Sequence, residues 1–467
     1  VLVPVQGSDD AFLNYATRNE SLGNSSISDV CNFVAPAILA SCPDNVFGFY
    51  SKCLGTNFPM NSSLSSALSE ARAVSEVDND DTHISPFRSI VLGKAVVVPV
   101  SSSNISMDDS NSGSLSWATG FFVLRQNYLL EYEEGDQLDG RPKGYAHLEF
   151  ATVSAHADFS NSLELSFCEK AKNLNQRRKL IMRLESQPKR DRWIYLLMKA
   201  AKLVIEDLYV TDKRLGRGRY ATVMSATRRT YDNCLTGQVT KGSPARALKI
   251  IDKKMFWDRV RKGKERASTL IREVVVQATL TAELPRSQSR STYLKIFGLF
   301  ETSDTLVLEL ELLKGTDLFY HISARGVLHE REAAFIMRDI LDCLSLMRRV
   351  GVAHRDLKPA NILMCKSNET NGIAVKVGDF GMSTTVGVDN LVRGRCGTPG
   401  YVAPEILSAG PSTGYANKAD LFSAGVTLYI MLCGYEPFYG ESDAELVAAN
   451  KVARVEFPES DWACVSN

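Results

Sequence analysis

His354-Arg355-Asp356-Leu357-Lys358-Pro359-Ala360-Asn361 decides how the chain is read, together with Asp379-Phe380-Gly381 downstream. A carboxylate and an amide stand five residues apart, and a second carboxylate follows a short apolar hairpin. Carboxylate and amide oxygens are hard donors that suit Mg²⁺. Moving a phosphoryl group asks little covalent chemistry of a protein. It asks for a positioned hydroxyl and for charge neutralisation by Mg²⁺.

Upstream, Leu215-Gly216-Arg217-Gly218-Arg219-Tyr220-Ala221-Thr222-Val223 precedes Ala247-Leu248-Lys249. Glycines at such spacing let backbone approach phosphates. A lone Gly pair is weak, because ordinary hairpins contain such turns; its place before Lys249 and the two later motifs makes it specific. In this order the segments resemble the Gly-rich loop, strand lysine, catalytic loop and metal motif of Ser/Thr protein kinases, calmodulin-dependent-kinase-like. The resemblance covers residues 205–467. It implies a two-lobed α+β fold, with an N-lobe at 205–313 and a C-lobe at 314–467 that stops short of the family's last helices.

The resemblance implies ATP and Mg²⁺ as cofactors and protein Ser/Thr hydroxyls as acceptors. Asp356 would orient and deprotonate the hydroxyl, Lys358 would neutralise the transferring group, and Thr398 would contact both. Lys249 would hold the α- and β-phosphates and pair with Glu273 on a helix at 270–284. Leu215, Gly216, Gly218, Val223, Ala247, Leu310, Glu311, Leu313, Asp317 and Leu363 would surround the nucleotide, with Leu310 as gatekeeper and 311–313 as hinge. Asn361 and Asp379 would hold the metal. His354 reads as packing under the loop rather than as a proton carrier, and Asp420 as a brace for it.

Two departures stand out. Relatives are often switched on by a phosphorylated Thr two residues before the Cys of the activation segment; Gly394 stands there, leaving Ser383, Thr384 and Thr385 as weaker acceptors. Arg355 would meet a phosphate or an acidic residue such as Asp389. The helices that would follow Asn467 include one whose Arg pairs with the position of Glu405, and a buried carboxylate without its partner would cost stability. The chain, which also begins at Val1 rather than Met, reads either as a fragment or as a kinase with an incomplete C-lobe. The alternative function is a pseudokinase scaffold that binds ATP or partners without efficient transfer.

Residues 85–204 have a different pattern. Short alternating stretches at 89–100, 117–124, 128–132, 144–148, 151–154, 163–167 and 180–184 read as strands. Arg190–Val204 has helical spacing with Trp193, Leu196, Leu197, Ala200, Ala201 and Val204 on one face. Strands closed by one amphipathic helix resemble a pleckstrin homology (PH) domain, with the Trp in the first turn covering the core. Lipid-binding PH domains gather Lys and Arg at the start of the second strand. Here Ala118-Thr119-Gly120 stands there, with only Lys94 and Arg125 nearby. Two cations make a weak phosphate site, which argues for a protein regulator over a phosphoinositide. The linker to the kinase strand expected at 207–213 is almost absent, so the two domains are expected to pack together.

Residues 1–84 are rich in Ser, Asn and Asp, with an apolar island at Phe33–Tyr50 that could dock elsewhere. The basic stretch 253–268 reads as a solvated loop or helical turn, or as a dock for an acidic partner. Net charge is zero, which gives no bulk reason for binding nucleic acid or membrane. The ten cysteines contain no CxxC pair, which argues against zinc and for free thiols in a reducing compartment. No apolar run reaches eighteen residues, so no transmembrane helix is expected; the setting implied is cytoplasmic, with peripheral membrane association left open by the PH resemblance.

Overall fold

The computed structural model describes Val3–Pro4, 90–100, 118–132, 144–168, 177–229, 245–265 and, with short gaps, 269–466. The island at Phe33–Tyr50, the loop 101–114, the insertion 230–244 and Asp389 lie outside the described residues. The chain divides into two compact units, Val1–Ala267 with Phe297–Leu310, and Ser268–Ile296 with Glu311–Asn467.

The first unit holds two sheets. Strands β1 (Val3–Pro4), β2 (Ile90–Val100), β3 (Ala118–Arg125), β4 (Tyr128–Tyr132), β5 (Gly144–His147), β6 (Thr152–Ala155), β7 (Ser162–Cys168) and β8 (Arg177–Arg183) form one antiparallel sheet in the order β1-β5-β4-β3-β2-β8-β7-β6. Alternation sends Phe122, Leu124, Leu129, Leu163, Leu165, Phe167, Leu180 and Met182 into one core. Helix α1 (Gln187–Ala201) closes that core with Trp193, Leu196, Leu197 and Ala200. Trp193 is 1% exposed; its indole N–H donates to Leu92 O at 3.2 Å, and its ring meets Phe122 edge-on at 5.9 Å.

Helix α1 lies three residues earlier than its apolar spacing indicates. Ser186 accepts from Lys189 N and Pro188 follows the cap, so local capping sets the start. Trp193 therefore sits in the second turn rather than the first. The strand expected from 207 begins at Tyr209, because residues 205–208 form one helical turn, α2 (Ile205–Leu208), in which Asp207 accepts from Val204 N at 3.0 Å.

The second sheet runs β12-β13-β11-β10-β9, from β9 (Tyr209–Arg217), β10 (Ala221–Arg228), β11 (Ala245–Asp252), β12 (Ile296–Glu301) and β13 (Thr305–Glu311). Leu208, Tyr209, Ala226, Leu248, Phe300 and Val307 share its core, and Leu203 and Ile205 from the connection pack against it. The connection is thus anchored on the sheet it enters. Of the two readings of the basic stretch after β11, the helical one holds and the solvated loop does not: α3 (Lys253–Arg261) buries Lys253, Phe256 and Trp257. Lys253 lies on the same helical face as Phe256 and Trp257, while Lys254 and Arg261 are exposed.

The second unit is helical. Helices α4 (Leu318–Arg325), α5 (Glu330–Arg349), α6 (Pro404–Ser408), α7 (Ala419–Cys433), α8 (Asp443–Val452) and α9 (Glu459–Trp462) surround short strand pairs. Ile336, Ile340, Cys343 and Met347 of α5 share one core with Leu357, Ile362, Val375, Val377 and Phe380 and with Ile430 and Met431 of α7. The loop carrying Asp356 thus rests on a packed floor. Cys343 is fully buried there, and burial pushes its thiol up to about 12. Among the described residues no helix is long and apolar enough to cross a membrane.

Candidate active site

The loop after α5 turns on Arg355, whose φ is +69°. A non-glycine residue in the left-handed region is strained and persists only when its surroundings hold it. Asp420, in the first turn of α7, supplies the hold. Its Oδ2 accepts from His354 N at 2.7 Å and its Oδ1 from Arg355 N at 2.8 Å. His354 is fully buried; Nδ1 accepts from Asp356 N at 3.3 Å, so Nε2 carries the hydrogen and donates to Gly378 O at 3.1 Å. Its two ring nitrogens thus tie this loop to the residue before Asp379, which agrees with a packing role.

Asp356 is the meeting point. Thr398 Oγ1 donates to its Oδ1 at 2.6 Å, Lys358 Nζ lies 3.0 Å from its Oδ2 and donates to Thr398 Oγ1 at 2.7 Å, and Asn361 Nδ2 donates to its carbonyl at 2.8 Å and to Oδ2 at 3.2 Å. Four residues from two segments are locked in one network. Gly397 permits it: its φ is +117°, and a Cβ there would lie 2.9 Å from Arg355 O. Tyr401 follows Thr398 in the same segment; burial first, then the charges of Glu436 and Asp356, pushes its hydroxyl up to about 12.

Asp379 is exposed, with φ +55°, and its side chain caps no backbone group of the 3₁₀ turn Phe380–Met382. Because Asn361 spends its amide hydrogens on Asp356, its carbonyl oxygen is the side-chain atom that a metal would meet. Two hard oxygens fit Mg²⁺, and among the described residues no cluster of three or more His, Cys, Asp or Glu is placed to hold a metal alone. The donor set therefore suits a cation that brings phosphate ligands with it.

In the first unit, Gly216 lies near the end of β9 and Gly218 on the turn between β9 and β10, where Gly218 N donates to Ala221 O at 2.7 Å. A Cβ at Gly216 would meet nothing within 4 Å, and one at Gly218 only Ala221 O at 3.6 Å. Neither has a positive φ, so the chain's own packing does not demand glycine there. The space left open suits close approach by a ligand. Val223 is paired with Gly216 and with Lys249 across the sheet, while Leu215 is exposed and Ala247 and Leu310 are buried.

In the second unit, Glu273 is 3% exposed. Glu311 N donates to Lys295 O at 2.9 Å, and its carboxylate is clamped by Lys376 Nζ at 2.7 and 2.8 Å. Lys376 also donates to Ser291 Oγ at 2.6 Å. Nothing in the linear sequence marked Lys376, because its partner lies 65 residues away. Leu313 is half-buried. Asp317 bridges backbone with Leu363, and its Oδ1 caps α4 by accepting from Tyr320 N at 2.7 Å.

Two regulatory expectations change. Ser383 is fully buried, with its hydroxyl donating to His354 O at 3.4 Å, and Thr384–Thr385 are paired with Val352–Ala353, so all three are built into the loop's support. Arg355 is likewise occupied: Nε donates to Met382 O at 2.8 Å, and its guanidinium lies against the Tyr415 hydroxyl. Glu405 is exposed, so the cost expected of a buried, unpartnered carboxylate does not arise. Replacing Thr384 and Thr385 by Ala is expected to leave phosphotransfer within about twofold, since their pairing with Val352–Ala353 runs through backbone groups that the substitution keeps; steady-state rates of the double variant check this, and a loss of activity would reveal a required phosphate.

A protein kinase domain profile matches residues 209–463, more than half of the sequence. The chain belongs to the protein kinase family. A PH domain profile matches residues 82–202 of this kinase. Myosin light chain kinase A of Dictyostelium discoideum is 33% identical over 262 residues, which are 56% of this chain and 79% of that one. Calcium/calmodulin-dependent protein kinase type 1 of Caenorhabditis elegans is 34% identical over 268 residues, 57% of this chain and 68% of that one. A probable serine/threonine-protein kinase of D. discoideum is 36% identical over 259 residues, 55% of this chain but 33% of its own length. Each match spans 55–57% of this chain.

Proposed function

We propose that this kinase transfers the γ-phosphoryl group of Mg-ATP to Ser or Thr hydroxyls of proteins. The observation that carries the reading is the closed network of Asp356, Lys358, Asn361 and Thr398. Mg-ATP supplies the phosphoryl group and the cation that spreads its charge. Asp356 receives the acceptor hydroxyl and takes its proton, and Lys358 offsets charge on the oxygens in transfer. Asn361 and Asp379 would hold the metal. Gly216 and Gly218 would admit the phosphates and Lys249 would hold them, with Glu273 as the partner expected for Lys249. Backbone of 311–313 meets the adenine, whose walls are Leu215, Val223, Ala247, Leu310 and Leu363, and Asp317 lies beside the ribose.

Acceptor sites with basic residues upstream fit best. Glu436 is exposed and its charge acts on Tyr401 together with that of Asp356, so the region carries negative potential. For the PH domain, a protein regulator fits better than a lipid: Ala118 and Thr119 are exposed at the start of β3 and bring no charge. A cytoplasmic setting follows from this chemistry.

Incubation with γ-labelled ATP and a basic Ser/Thr peptide tests the proposal. Label on Ser or Thr is expected, and none from the Asp356→Asn chain. Equal label from both, or none from either while ATP still binds, would leave only the scaffold reading.

A further inference from the structure

The first unit contains a polar cluster that belongs to neither sheet alone. Its centre is Glu301, the last residue of β12, which is fully buried. Three side chains of the PH domain converge on it. Tyr128 OH donates to Glu301 Oε2 at 2.5 Å, and Asn127 Nδ2 donates to Glu301 O at 2.7 Å. The same amide lies 2.9 Å from His147 Nε2, whose ring lies tilted against that of Tyr128 at 4.8 Å. From the kinase side, Lys253 Nζ meets Glu301 Oε1 at 2.5 Å and donates to Thr302 O. Lys253 N also donates to Asp304 O at 3.0 Å.

Such a cluster has no purpose in a kinase sheet by itself. A carboxylate and an ammonium are not placed at a strand end with 0% and 6% side-chain exposure unless both are paired and covered. The cover is the turn joining β3 to β4, where Gln126 takes φ +48° and brings Asn127 and Tyr128 over the strand end. Burial pushes His147 down to about 4, so its imidazole is neutral at physiological pH, with Nε2 lying 2.9 Å from Asn127 Nδ2 and 3.2 Å from Glu301 O. Glu301 and Lys253 are the charged groups facing it.

The cluster also reaches the nucleotide loop. Lys253 opens α3, and Phe256 one turn later meets the Tyr220 ring edge-on at 4.9 Å. Asp252 N donates to Tyr220 O at 2.9 Å. Tyr220 is the tip of the segment Gly216–Val223. A line of contacts therefore runs from the PH turn through Glu301, Lys253 and Phe256 to that tip.

We propose that the end of β12 and the start of α3 form a built docking surface for the chain's own β3–β4 turn, and that seating the turn there holds α3 and the Gly-rich tip in place. Asn127, Tyr128, Glu301 and Lys253 are positioning residues in this scheme. The effect on ATP rests on the kinase reading above, while the effect on local opening does not.

Amide exchange on the full chain tests it. The Asn127→Ala/Tyr128→Phe variant keeps the Tyr ring but removes the bonds to Glu301. Exchange in Lys253–Arg261 and in 217–222 is expected to speed up about tenfold, the factor expected for loss of one to two hydrogen bonds of local stability. KM for ATP is expected to rise severalfold with kcat little changed. Unchanged exchange in Lys253–Arg261, with protection in Ser162–Cys168 intact, would overturn the proposal. If Ser162–Cys168 also opens, Lys253→Met reads the same interface from the other side. Faster exchange at Tyr128–Tyr132 then supports it, and unaltered exchange there overturns it. Faster exchange with no ATP effect keeps the dock and removes its link to the nucleotide loop.

Discussion

Asp356→Asn is expected to lower kcat by about 10²–10⁴-fold, the range a positioned general base supplies. The substitution keeps the shape of the side chain and one carbonyl oxygen. Lys358 Nζ and Asn361 Nδ2 both approach Oδ2, at 3.0 and 3.2 Å, so the remaining oxygen turns to those donors. The new amide then faces Thr398, whose hydroxyl rotates to accept. The network closes, the loop stays folded, and what is lost is the lone pair that receives the acceptor proton. KM for ATP is expected to stay within about threefold, because uniform binding to the nucleotide is untouched. Steady-state kinetics with a thermal melt check both halves. A kcat within threefold of the parent, at unchanged stability, would remove Asp356 from the chemistry.

Asp420→Ala is expected to cost about 3–5 kcal/mol of stability, since each buried donor left without an acceptor costs roughly 1–3 kcal/mol. Two backbone N–H groups depend on this one carboxylate, at 2.7 and 2.8 Å, and both belong to buried residues. Water does not reach them, because Asp420 itself is 6% exposed. Arg355 is the second reason. Its left-handed backbone is held by the bond from its own N–H, so removing Asp420 frees the residue just before Asp356. Activity should therefore fall even where the chain remains folded. Asp420→Asn keeps one acceptor oxygen and is expected to lose about half as much. Urea unfolding of the three chains, with rates measured below the transition, checks the order parent, Asn, Ala. An Ala variant as stable as the parent would show that the loop is held some other way.

Much of the site was legible because its residues are grouped along the chain. Asp356, Lys358 and Asn361 lie within one turn and a half of backbone, and the roles of Thr398 and Asp420 follow from their order after it. The strands of the PH domain were also legible, since alternation reports one buried face. The misreadings have a common cause. Lys253 looked solvated because the sequence around it is basic, whereas its environment is set by Glu301 and by the β3–β4 turn, whose Asn127 lies 174 residues before Glu301. Ser383 looked like an acceptor for phosphate until its burial beneath His354 was seen. The Lys376–Glu311 clamp left no trace at all, as a strand lysine reads the same with or without a partner.

The sequence alone determined the family, the reaction class and the identity of the polar groups at its centre, because hard-oxygen ligands, glycines and a base at short spacing are local chemistry. Tertiary structure decided which charges are buried, which hydroxyls are accessible and how the PH domain meets the kinase sheet. Those depend on desolvation, and desolvation is a property of whatever remote segment covers a group. At Glu301 that segment is the β3–β4 turn, and its Asn127 and Tyr128 turn a strand-end carboxylate into the centre of an interface.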